Sequence, residues 1–266
     1  MVMSFFPQLS TGAISQFPLH RRQAFRTVFN ILSDGREVKY FDSFGSRLTF
    51  TFHFDGLSDS EMQTIESFFT QKEGKRVSFG LLDPGLNLLR WSEDFGRSAW
   101  TVGPHLAMTT GQDDPWGTQR ATCMSNSSIG TQGIVQVLTA PGHYVYSMSV
   151  WLRSDFPSNI TLFAASGGYT QTHTVSPQPT WRRYHCSIKI PSELTSIGFG
   201  LEIPAGTTVC VVGAQVDAQP APSAYRRSTG RHGVHPNVRF AIDSLTRRTN
   251  GPNDHSTTVL FSTLLQ

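Results

Sequence analysis

Apolar and polar positions alternate strictly over residues 47–54, RLTFTFHF, with Leu48, Phe50, Phe52 and Phe54 on one side and Thr49, Thr51 and His53 on the other. Period-two writing of this kind predicts a strand with one face in a core. Upstream, AFRTVFNIL and REVKYF flank Asp34-Gly35. Asp-Gly between apolar stretches predicts a hairpin, because its tight turn needs positive φ. The period then changes. In LSDSEMQTIESFFTQKEG, Met62, Ile65, Phe68 and Phe69 share one helical stripe, Ser58 and Glu61 form a capping box, and Gly74 supplies the stop. RVSFGLLDP predicts a further strand ending at a proline. These few strands and one helix make an incomplete barrel with exposed edges.

A new start follows at once, in NLLRWSEDFGRSAW from Asn87 to Trp100. Beyond it, YVYSMSVWLRS places Tyr146, Met148, Val150 and Leu152 on one face and Ser147, Ser149 and Trp151 on the other. TWRRYHCSIKIP sets Tyr184, Cys186, Ile188 and Ile190 opposite Trp181, Arg183 and His185. IGTQGIVQVLTAPG, SIGFGLEIPAG and TVCVVGAQVDA are further strand candidates. Short strands at regular spacing with Gly/Pro turns indicate a β-sandwich. Strands missing from the first segment appear at the far end, in VHPNVRFAIDSLTRRTNGPNDHSTTVLFSTLL, with NGPND as a turn. The simplest reading is all-β: a discontinuous β-barrel, residues 1–85 plus 231–266, interrupted by an inserted jelly-roll β-sandwich at 86–230. The Asp83-Pro84-Gly85 stretch would be the exposed loop tip that tolerates the insertion.

Composition agrees with strands over helix bundles: 38% of residues are hydrophobic and only 15% charged, with 19 Phe, 23 Gly and 15 Pro. The net charge of +3 is too small to imply a nucleic-acid partner, and Arg21-Arg22, Arg182-Arg183, Arg226-Arg227 and Arg247-Arg248 are scattered and build no basic run. Cys123, Cys186 and Cys210 are an odd number without CxxC spacing, which argues against a disulfide framework or zinc site and suits a reducing cytoplasm. MVMSFFPQLSTG does not read as a signal peptide, and no apolar run is long enough to span a bilayer.

Several stretches carry a more specific likeness. NLLRWSEDFGRSAWT, DDPWGTQRAT, YSMSVWLRS, TWRRYHCSI and VVGAQVDAQPAPSAYRRST, in that order, resemble carbohydrate-binding-type jelly-roll modules of phage tail and tail-fibre proteins. The flanks, FFPQLSTGAISQFPLHRRQAFRTVFNILSDGREVKYFD, LSDSEMQTIESFFTQKEGKRVSFGLLDP and VHPNVRFAIDSLTRRTNGPNDHSTTV, are similar to phage distal-tail, or baseplate-hub, proteins. Trp116 departs from the Phe more usual in the DP-aromatic-G turn, and Trp91 stands where a polar residue is common. The resemblance implies a non-enzymatic structural subunit of the virion tail, made in the host cytoplasm. Its partners would be copies of itself in a ring, by analogy a hexamer, with the tail tube protein, other tail-tip proteins and cell-surface polysaccharide. A receptor-binding fibre adhesin and a glycan-processing enzyme are the competing classes. The resemblance also implies no cofactor beyond a structural Ca2+ in the inserted module, with Glu93, Asp94 and Asp217 as the acids at its two ends.

Sugar recognition needs an aromatic platform with polar groups around it, which singles out Trp116 and Tyr169 in turn-like stretches and Trp151 and Trp181 on strand faces. Trp91 and Trp100 read as core. Phe5 and Phe6 read as contacts to a neighbouring copy or the tail tube, buried only in the assembly, and STTVLFSTLLQ as an apolar edge beside them; the alternative is that both ends close their own barrel. No GxSxG, HExxH or phosphate loop is present, and His232, His235 and His255 read as surface or interface histidines.

Overall fold

The computed structural model describes residues 3–42 and 44–264; Met1, Val2, Ser43, Leu265 and Gln266, which belong to segments discussed above, lie outside the described residues. The N-terminal flank folds as β1 (Leu19–Ala24), β2 (Thr27–Ile31), β3 (Glu37–Phe41), β4 (Arg47–Leu57), α1 (Asp59–Gln71) and β5 (Phe79–Leu82). The middle supplies β6 (Thr101–Val102), β7 (Leu106–Gln112), β8 (Ala121–Asn126), β9 (Gln132–Leu138) and β10 (Val145–Arg153). It continues through β11 (Ile160–Ser166), β12 (Tyr169–Val175), β13 (Arg182–Lys189), β14 (Ile197–Ile203) and β15 (Thr208–Asp217). The C-terminal flank adds β16 (Val234–Phe240), β17 (Arg247–Gly251) and β18 (Asp254–Leu264).

Pairing sorts the strands by origin. The two flanks share one sheet, β1-β4-β18-β16-β5, with β17 attached to β18. The middle builds two five-stranded sheets, β13-β10-β15-β8-β7 and β12-β11-β14-β9-β6, and its chain crosses between them repeatedly in the manner of a jelly roll. The path of the flank sheet is open at β1 and β5, so its hydrogen bonds do not close a barrel among the described residues. β18 lies between β4 and β16 and pairs with β4 over most of its length, from His255 opposite Leu57 to Leu264 opposite Arg47. The apolar C-terminal strand is therefore interior to its sheet, where the sequence reading put it at an edge.

Leu48, Phe50, Phe52 and Phe54 of β4 face inward and are buried, as their alternation predicts. The same core overturns the reading of Phe5 and Phe6. Phe6 is 1% exposed, with its ring centroid 4.8 Å from that of Phe261, 5.7 Å from Phe68 and 6.3 Å from Phe54. The segment is held by Gly80, whose N–H donates to the Ser4 carbonyl at 2.8 Å and whose carbonyl accepts from the Phe6 N–H at 2.9 Å. A side chain at Gly80 would collide with the Phe5 ring. An aromatic-rich core within the same chain offers these two residues a closer burial than any neighbour, so no second molecule is needed to cover them.

The capping box of α1 forms, and Met62, Ile65 and Phe68 are buried. Glu61 also accepts from the Ser10 N–H at 2.9 Å and hydroxyl at 2.6 Å, tying the N-terminal segment to the helix start. Burial pushes the Glu61 carboxyl up, but the hydrogen bonds from Ser10 and Ser58 outweigh it and hold the pKa near about 2. The Asp34-Gly35 turn closes the β2–β3 hairpin, with Gly35 at φ 82°. That hairpin pairs with no other strand among the described residues.

In the sandwich, Tyr146, Met148, Val150 and Leu152 line the space between the sheets. Tyr146 reaches across it, its ring 5.3 Å from Phe199 and its hydroxyl donating to the Pro141 carbonyl at 2.6 Å. The connection between the two units is not the exposed loop tip that DPG suggests. Asp83, Asn87, Leu88 and Leu89 are buried. The outgoing and returning chains run side by side: the Asp83 N–H donates to the Gly233 carbonyl at 2.7 Å, the Gly233 N–H to Asn87 at 2.8 Å, and the Trp91 N–H to Thr229 at 2.9 Å. Gln8 adds a second attachment, exchanging two 2.8 Å hydrogen bonds with the backbone of Val145. Backbone polar groups removed from water need such partners, which is why a buried crossing arrives as a paired one.

The cysteine reading is corrected as well. Cys123 on β8 and Cys210 on β15 are opposite each other in register and form a disulfide, while Cys186 is free and buried. Cross-strand opposition brings the two Cβ atoms together, a relation that an 87-residue separation in sequence hides. Burial pushes the Cys186 thiol up to about 11, so it stays protonated at pH 8. Iodoacetamide at pH 8 should label no thiol in the native protein, one per chain in guanidinium, and three only after reduction. Three labelled without reductant would show that the disulfide is absent.

Candidate functional site

Three of the four predicted sugar contacts fall on one face of the β13-β10-β15-β8-β7 sheet. Trp116 sits in the turn between β7 and β8, and Asp114 shapes that turn by accepting from the backbone N–H groups of Trp116 at 2.9 Å, Thr118 at 3.0 Å and Arg120 at 3.2 Å. Burial raises the Asp114 carboxyl, but these bonds and the Thr118 hydroxyl hold it below the usual carboxylate range. The Trp116 ring stacks on Tyr225, 5.0 Å between centroids at 17°, and meets Trp151 edge-on at 5.8 Å. The Arg120 guanidinium lies 5.6 Å from the Trp116 centroid. Trp116 is 39% exposed, so one side of this stack is open to solvent.

Gly213 explains how three large rings fit over a strand. Its φ is +68°, and a Cβ there would come within 3.1 Å of Trp151 and 3.2 Å of both Trp116 and Tyr225. Only glycine takes that backbone conformation freely and leaves the space. Beneath the rings lies a polar floor. Glu93 accepts from the Tyr225 hydroxyl at 2.9 Å, Arg120 at 3.1 Å and Arg227 at 2.7 Å. Burial, with Glu93 beside it, pushes the Tyr225 hydroxyl well above its ordinary pKa, so it remains a donor.

Trp181 stands farther along the same face, with the Arg153 guanidinium 5.5 Å from its ring centroid. The indole N–H groups of Trp151 and Trp181 are buried and have no hydrogen-bond partner among the described residues. Tyr169 is 52% exposed but begins β12 in the opposite sheet, so it does not join the group. Tyr225 is the residue the sequence reading missed. It lies in the quoted APSAYRRST stretch, yet nothing there signals a partner at position 116.

The three acids proposed for calcium do not converge. Glu93 is held by two arginines, Asp94 pairs with Arg97 at 2.6 Å, and Asp217 lies 3.8 Å from Arg226. No group of three or more potential ligands forms a metal site among the described residues. Cationic partners compete directly with a cation for these oxygens. Trp100 is buried on Phe95 at 5.0 Å, as core, whereas Trp91 is half-buried under the Arg97 guanidinium at 4.6 Å. His255 is not a surface residue: it is 2% exposed, with Nε2 2.6 Å from Asp59 and 2.9 Å from Arg247.

No protein-family profile matches the chain, and no curated protein matches it. Solved structures similar to it include the enzymatically active domain of tailspike protein 4 of bacteriophage CBA120, at 12% identity over 52% of this chain and 22% of that one, with a TM-score of 0.41. The chain thus spans under a quarter of that tailspike structure. TmCBM61, solved with β-1,4-galactotriose, matches at 16% identity over 49% of this chain and 97% of its own, with a TM-score of 0.38. A xylan-binding domain from CBM 22 matches at 14% identity over 52% and 98%, with a TM-score of 0.42. No helix of the described residues is long and apolar enough to cross a membrane.

Proposed function

We propose that this chain is a structural subunit of a phage tail tip, acting by assembly with copies of itself rather than by turnover. Its inserted module would face outward and take host-surface glycan on Trp116, Trp151 and Tyr225. The observation that carries the assembly half is the β2–β3 hairpin, unpaired with any other strand among the described residues. Around it Phe25, Phe29, Ile31, Tyr40, Phe41 and Phe44 are exposed. Phe29, Ile31 and Phe41 share one face of the hairpin; exposed apolar surface of this kind marks a contact site, and a lone hairpin gains little stability in water. A second copy in a closed ring would cover it, six copies by the family resemblance, seated on the tail tube. The glycan half rests on the solvent-open stack at Trp116 with Arg120 at its rim.

Light scattering and negative-stain images of the purified chain test the ring. Closed rings are expected for the native sequence, and a folded monomer for Phe29→Ser/Ile31→Ser/Phe41→Ser. A native monomer, or rings from the triple variant, overturns the proposal. A fibre adhesin would share the aromatic stack but give the mass of a trimer. Affinity gels containing xylan, β-1,4-galactan or bacterial exopolysaccharide test the glycan half. Trp116→Ala should weaken retardation about tenfold, the loss of one aromatic contact worth roughly 1.4 kcal/mol. No retardation of the native chain by any of the three counts against it.

A further inference from the structure

We propose that the cavity at the root of the inserted module binds a single oxyanion, a carboxylate or a phosphate. The cavity measures about 260 Å3 and is walled by Arg21, Gln23, Arg90, Arg231, His232 and His235, together with apolar side chains. No carboxylate of the described residues lines it. Its size falls just below the roughly 300–1,000 Å3 of drug-sized ligand pockets, which suits a small ion or one acidic group of a larger molecule. It shares no residue with the Trp116 stack, so the inference does not depend on the glycan reading.

Two of the three arginines have no acid among the described residues. Arg21 stands 3.5 Å from the buried Asp83, which also receives His235 at 3.4 Å. Arg90 and Arg231 form no ion pair among the described residues, and Arg90 instead points an Nη at His232. Arg90 and Arg231 are exposed at the mouth of the cavity, and an anion entering it would meet their positive field.

His232 adds a specific demand for an acceptor. Its Nδ1 accepts from the Val234 N–H at 3.1 Å, which places the proton of the neutral ring on Nε2. Nε2 lies 2.7 Å from Nη2 of Arg90, so two donors face each other with no acceptor between them. The other tautomer only moves the conflict to Val234. Protonation does not resolve it, because it puts a donor at both ring nitrogens. Burial, with Arg90 and His235 beside the ring, also drives its pKa down to about 4. An oxyanion lodged here accepts from Nε2–H and from Arg90 together, with Arg231 and Arg21 as further donors.

NMR titration of the full chain with inorganic phosphate and, separately, with glucuronate tests this at fixed ionic strength. Saturable shifts of the His232 ring are expected with at least one probe, and the His232 pKa should rise when the site is filled. Arg90→Gln and Arg231→Gln should each weaken binding tenfold or more, while Arg97→Gln, outside the cavity, should not. Native unfolding midpoints identify variants that remain folded, and the wild-type titration stands without them. Tighter binding of phosphate identifies a free ion as the occupant, and tighter binding of glucuronate an acidic sugar; either supports the site. Linear, unsaturated shifts with both probes, or full affinity in both folded arginine variants, overturns it.

Discussion

Truncating Phe6 to alanine should lower the unfolding free energy by about 3–5 kcal/mol, as for other fully buried aromatics. The side chain stands at the meeting point of β4, α1 and β18, with Phe54, Phe68 and Phe261 around it. Removing it leaves a cavity whose walls belong to three elements already fixed by their own hydrogen bonds, so little collapse can compensate. Guanidinium unfolding of the isolated chain is the measurement. An unchanged midpoint would mean that residues 3–9 detach freely from the core and that their burial requires something else.

Tyr146→Ala should have an effect of similar size, about 3–5 kcal/mol, in the core of the sandwich. Its ring spans the two sheets of the sandwich onto Phe199, and its hydroxyl satisfies the Pro141 carbonyl. Tyr146→Phe keeps the ring and loses only the hydrogen bond, so it should cost about 1 kcal/mol. Both substitutions and Phe6→Ala should lower one shared unfolding midpoint, because paired linkers and Gln8 join the sandwich to the flank sheet. Two transitions, each sensitive to only one of the substitutions, would show that the units unfold independently.

Local pattern was legible wherever two constraints agreed on the same residues. The alternation at 48–54, the alternation at 146–152 and the capping box at Ser58 each fix periodicity and burial together, and the structure places all three as their patterns imply. What the pattern leaves open is which strand sits beside which. β18 alternates as well as any edge strand, and only its pairing with both β4 and β16 makes it central. Phe6 lies in a short apolar stretch with no period, so its destination depends on a core assembled from residues up to 255 positions away. The aromatic site shows the same limit. Trp116 and Trp151 can be proposed from a turn-like stretch and from strand parity, but Tyr225 joins them across 109 positions, and Gly213 gives no hint in sequence that three rings will converge on it. The disulfide and the buried linkers are likewise contacts between distant segments, which no local rule of spacing reveals.

The side-by-side crossing at Asp83, Asn87 and Gly233 has a mechanical meaning. A module hung on one flexible tether samples many headings, and every encounter with a surface then loses that rotational freedom anew. Here two hydrogen-bonded chains and the Gln8–Val145 clasp act as a stiff mount. Copies assembled around an axis would hold their Trp116 stacks at constant spacing and angle, and avidity would be set by that geometry instead of by tether length. An array of the kind proposed would engage several epitopes at once where a cell surface repeats them at the matching interval. Where the interval is wrong it would fall back to the weak grip of a single site.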